Sequence, residues 1–176
     1  MKAQLGSLAV FFLFLPLTVG AIEKKEVLSF LTEVSAQRER SSETLKGPIS
    51  PQDFQNVCVP VGARIKKWSS EKGIEIRQIT KRYRNINNKA TETEEAILER
   101  FVKDPKLADW SEEKDKESHL YVPIRVTQGC LNCHGDKENR PDFIKSKYPQ
   151  DLAWGFKAGD LRGMFAAKIP KALSGR

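Results

Sequence analysis

The chain has 176 residues, 39% of them hydrophobic and 30% charged, with a formal net charge of +7. That length suits one compact domain with a modest core and is short for several. The basic excess is scattered through mixed-sign stretches such as ITKRYRN and SEEKDKES, which reads as a solvated surface and argues against a nucleic-acid-binding stripe. Three cysteines, an odd number, do not make a paired disulfide framework.

The N-terminus comes first in chain order. Lys2, the apolar run Leu8–Leu17 and the small residues Val19-Gly20-Ala21 have the layout of a secretory signal peptide over residues 1–21. The run is shorter than the roughly 20 residues a bilayer span needs, and Pro16 interrupts its end. The expectation is export to the periplasm, with residues 22–176 as a single domain. An uncleaved N-terminal anchor is the alternative.

Residues 23–46 are predicted as an amphipathic helix, because Val27, Leu28, Leu31 and Val34 recur at helical spacing among charged residues. Gly47-Pro48 breaks it. Ser50-Pro51 then starts a second helix with a cap residue followed by proline. Its expected apolar face is Phe54, Val57, Cys58, Val61 and Ile65, with a kink before Pro60 and an end at Lys72-Gly73. Residues 73–80 read as a strand with Ile74 and Ile76 on one face. After a basic, Asn-rich loop, Thr91 and Glu94 form a capping box for a helix carrying Ile97, Leu98, Phe101 and Val102. The polar stretch 111–118 leads to a strand over 119–126, where Leu120, Val122, Ile124 and Val126 alternate. Two further strands, 153–156 and 163–169, are expected to form a hairpin about the turn Lys157–Asp160. Helices first, then strands mixed with helices, give an α+β domain.

Cys130-Leu131-Asn132-Cys133-His134 carries the chemistry. In a C-x-x-C-H sequence the two thiols add to the two vinyl groups of a haem, and one helical turn between them matches that spacing. The following histidine is placed to ligate the iron. A thioredoxin-like redox pair would not need the histidine, and a zinc site needs four ligands where no second C-x-x-C or His pair exists. The cofactor expected is one covalent haem c on Cys130 and Cys133, with His134 as axial ligand.

The residues leave the second axial position open. Cys58 on an apolar helix face is most simply a small core residue, or a thiol available for an intermolecular disulfide. His119, Met164 and an open or water-filled site are the other candidates. Arg77, Arg82, Arg84 and Arg125 are candidate partners for haem propionates, since guanidinium forks suit carboxylates; facing solvent is the alternative for each.

Four stretches carry a family resemblance: Val57-Cys58, IRQITKRYRNINN (76–88), YVPIRVTQGCLNCHG (121–135) and KYPQDLAWGFKAGDLRG (147–163). In these the chain is similar to exported monohaem c-type proteins with a PAS-like sensor fold, which occur alone or as the sensing part of bacterial signalling proteins. The resemblance implies a PAS-like antiparallel sheet flanked by helices, with N-terminal helices, enclosing the haem. It also implies an axial pair of the motif histidine and a cysteine from an N-terminal helix, the position that Cys58 matches. The function it implies is a redox or diatomic-gas sensing module, not an enzyme, that acts through a periplasmic partner protein. A periplasmic electron-transfer cytochrome is the alternative. A haem peroxidase, with His119 as the distal group, is a weaker one. Whether the chain forms a homodimer through its first helix is left open by the sequence.

Overall fold

A computed structural model describes residues 22–171. The signal-peptide segment 1–21 lies outside the described residues. Among those described, no helix is long and apolar enough to cross a membrane.

Three helices come first: α1 (Lys24–Glu43), α2 (Pro51–Val57) and α3 (Val59–Lys72). Ser50 caps α2 in a reciprocal capping box with Asp53, and Pro51 occupies the first turn, where no N–H is needed. Pro60 cannot continue the helical hydrogen-bond ladder. The expected kink is therefore a break at Cys58, the junction residue of α2 and α3. Gly73 ends α3 with φ of 65°, a left-handed conformation that glycine adopts without steric cost.

Four strands follow, interleaved with short helices: β1 (Glu75–Ile79), β2 (Trp110–Glu113), β3 (Glu117–Arg125) and β4 (Leu161–Pro170). Between them lie α4 (Glu92–Lys103), α5 (Leu131–His134) and α6 (Asp142–Lys147). The Thr91–Glu94 capping box forms as expected at the start of α4. The strands make one open sheet in the order β1-β4-β3-β2, with every neighbouring pair antiparallel. This is the α+β, PAS-like architecture anticipated above.

Alternation along the strands divides the core. Leu120, Val122, Ile124, Phe165, Ala167 and Ile169 pack against Val27, Leu31 and Val34 of α1 and Val61 and Ile65 of α3. Tyr121 and Met164 belong to a second cluster with Ile97, Leu98 and Phe101 of α4. Helices thus cover both faces of the sheet. Each large side chain buried there contributes about 1.5–3 kcal/mol.

Three expectations need correction. Residues 153–156 are not a strand, so the hairpin with 163–169 does not form; β4 pairs with β3 and β1 instead. Val102, in the last turn of α4, is 60% exposed and lies off the helix's buried face. Cys58 is exposed at the α2–α3 junction, not packed among the core residues of a continuous helix. β2 had no expectation. It pairs with β3 as a hairpin inside the polar stretch, where charged residues on both sides hide the period of two.

Candidate functional site

β3 runs directly into the C-x-x-C-H motif. Beyond Arg125 the chain turns at 128–130, and the N–H groups of Cys133 and His134 both donate to the Cys130 carbonyl, at 3.2 and 3.0 Å. This closes the single turn that holds the two thiols and the imidazole together. The motif is docked on the C-terminal end of α1. A Cβ at Gly129 would collide with the Ser42 carbonyl, so the two backbones meet only because residue 129 has no side chain. The Ser42 and Thr127 hydroxyls are hydrogen-bonded at 2.8 Å, and Thr127 Oγ1 lies 3.2 Å from Cys130 Sγ.

A cavity lies between α1, the α2–α3 junction, the sheet and the motif. Cys58, Cys130, Cys133 and His134 line it, with Arg38 from α1 and Arg162 from β4. Val57, Val61, Ile79 and Ile124 supply apolar wall. Through Thr80, Arg162 and Gly163 it adjoins a second cavity against Leu98 and Phe156. Cys58 is exposed where it lines the cavity, yet the protein around it pushes the thiol up, against the pull of Arg84 and Arg38. Burial pushes Cys133 up to about 11.

His134 has a fixed tautomer. Its Nδ1 lies 2.7 Å from the Ala153 carbonyl, which can only accept, so Nδ1 carries the proton and Nε2 the lone pair. Arg84 Nη2, 3.5 Å from the same Nδ1, has nothing there to donate to. Enclosure by protein, followed by the charges of Arg162 and Arg84, holds the imidazole well below its usual range, although the Ala153 bond opposes this. A neutral imidazole oriented by a carbonyl is the form that ligates a metal.

The Ala153 carbonyl is itself positioned by Asp151, a buried carboxylate. Asp151 Oδ1 accepts the Ala153 N–H at 2.8 Å. Its Oδ2 accepts from Arg84 Nε at 3.2 Å and Arg140 Nη1 at 3.0 Å. Arg84 also donates to the Cys133 carbonyl at 2.8 Å, tying this network back to the motif. The 151–156 segment is irregular because it serves these bonds, and the Phe156 N–H donates to the His134 carbonyl at 3.0 Å.

The four arginines singled out from the sequence have other engagements. Arg84 is held by Asp151, Arg77 pairs with Glu94, Arg125 donates to the carbonyls of Phe101 and Pro105, and Arg82 lies over the Phe156 ring at 3.9 Å. Arg38 and Arg140 carried no sequence signal, and Asp151 and Arg162 lie in the stretch 147–163 that carries the resemblance without a role assigned to them there. Their arrangement arises only from the fold. Burial, with Arg84 close by, pushes Arg162 down to about 9.

His119 and Met164 do not line this cavity. His119 is bonded to Glu117 at 2.5 Å and faces Tyr121 and Lys168 in a different cavity. Met164 is fully buried against α4. Cys58 is the remaining candidate that the fold brings beside the motif.

The donor set fits a covalently held haem: two thiols on one helical turn, a neutral imidazole with its lone pair at Nε2, a third thiol on another element, and apolar wall. Fold and site together define a PAS-like α+β domain built around a C-x-x-C-H cavity. The chain belongs to the Tll0287-like family, whose sequence pattern matches residues 20–170. It is similar to the cyanobacterial heme-protein Tll0287, known from a crystal structure, with a TM-score of 0.76 and 34% identity over 86% of this chain and 98% of that one. No curated protein matches.

Proposed function

We propose that this protein is an exported monohaem c-type protein, a redox or diatomic-gas sensing module that acts through a periplasmic partner. The observation that carries the reading is the convergence of Cys58, Cys130, Cys133 and His134 on one cavity. The similarity to a cyanobacterial heme-protein supports it, and the leader-like segment 1–21 supports export. Haem bound there would supply a one-electron couple and an iron centre able to take a small ligand.

Cys130 and Cys133 would hold it by thioethers, and His134 and Cys58 would ligate its iron. The Ala153 carbonyl makes the His134 imidazole a stronger donor by accepting its Nδ1 proton. A thiolate ligand from Cys58 would favour the ferric state and lower the potential, where a Met164 ligand would raise it. Cys58 stands at a helix break, where a thiol bound to iron would be displaceable by adjustment of one junction. A displaceable ligand and a low potential suit detection better than simple electron carriage. A peroxidase would use His119 as distal acid–base group, and its position beside Glu117 lends that reading no support.

The test is intact-protein mass and a haem-derivative spectrum after expression with the machinery that attaches haem c. One haem per chain is expected, lost in C130A/C133A; a wild-type chain at apoprotein mass overturns the proposal. Carbon monoxide added to the reduced holoprotein should then change its spectrum. No change would favour the electron-transfer alternative.

A further inference from the structure

Two guanidiniums of the cavity have no acid to meet. Among the described residues neither Arg38 nor Arg162 takes part in an ion pair. The buried carboxylate nearby, Asp151, already accepts from Arg84 and Arg140. Arg38 Nη2 donates to the Arg125 carbonyl at 2.7 Å, but its Nε is buried with no hydrogen-bond partner. Arg162 Nη1 donates to Thr80 Oγ1 and the Arg82 carbonyl, at 3.1 and 2.9 Å, which orients the group without neutralising it. Both line the cavity that holds the three cysteines and His134.

Enclosed cations of the same sign raise each other's energy, and an anion placed between them relieves it. Burial first, and then the neighbouring guanidiniums of Arg84 and Arg38, lower the proton affinity of Arg162. We infer that Arg38 and Arg162 are the anion-binding residues of the site and take the two carboxylates of its occupant, the haem propionates. This rests on the haem reading above. It replaces Arg77, Arg84 and Arg125, whose donors are engaged elsewhere, with two residues that face the cavity. Planar forks with free N–H groups suit carboxylates, and one from α1 and one from β4 would fix the ring's orientation between helix and sheet.

The experiment uses the full haem-loaded protein and Arg38→Gln, Arg38→Lys, Arg162→Gln and Arg162→Lys. Resonance Raman spectra report the propionate bending bands, which move with the hydrogen bonding of the carboxylates. Each Gln variant is expected to shift one propionate band, with a smaller shift for Lys, which keeps the charge but not the fork. If Arg162→Gln does not fold for want of its bonds to Thr80 and Arg82, Arg162→Lys must still move its band. Propionate bands unmoved in Arg38→Gln and Arg162→Lys overturn the inference. So does a change confined to sulfur-to-iron charge-transfer bands, which would make these arginines partners of the Cys58 thiolate. A wild-type chain that carries no haem overturns the underlying reading instead, before any variant is compared.

Discussion

His134 is oriented by the Ala153 carbonyl, which fixes its tautomer, and the Asp151 carboxylate holds the N–H of the same residue. The same carboxylate compensates Arg84 and Arg140, both nearly buried. Removing it strands two cations. Asp151→Ala is therefore expected to cost about 3–5 kcal/mol of stability in urea denaturation. Asp151→Asn, which keeps an acceptor for the Ala153 N–H, should cost less. A loss below about 1 kcal/mol for the alanine variant would mean that solvent, not Asp151, balances the arginines. Nothing in the sequence around Asp151 announces this role, because its partners lie far away at positions 84 and 140. Single residues such as His134 are legible where a short motif fixes their chemistry, and Asp151 is legible only where the chain has folded back on itself.

At the scale of elements, legibility follows local chemistry. The capping boxes at Ser50 and Thr91, the proline break and the left-handed Gly73 are set within a few residues, and each helix boundary they define was readable. The alternation of β3 was equally clear, because both faces of that strand meet helices or partner strands of fixed polarity. The segment 153–156 misled, since its apolar residues serve the hydrogen bonds around His134 and not a ladder. β2 was hidden for the opposite reason, being short, polar and paired on one side only. The docking of the motif on α1 gives a prediction at this scale. Gly129→Ala must push the motif's turn away from the Ser42 carbonyl. The expected cost is about 1–3 kcal/mol, measured by thermal or urea unfolding, as for other overpacked contacts. An unchanged midpoint would show that the contact between α1 and the motif is not tight.

The whole molecule brings together pieces that the sequence keeps apart: Arg38 from α1, Cys58 from a helix junction, the motif after β3 and Arg162 at the start of β4. The motif half of the site could be read from five consecutive residues. Cys58 could be ranked above His119 and Met164 only through family resemblance, because exposure at a helix break is a property of the fold. No role could be read from the sequence for the guanidiniums facing the cavity. If this convergence holds one haem, His134 and Cys58 would both ligate its iron. Optical and EPR spectra of the ferric protein, wild type against Cys58→Ala, test it most directly. The expected result is a low-spin thiolate signature that disappears in the variant while covalent haem is retained. Identical spectra from the two proteins would remove Cys58 from the iron and contradict it.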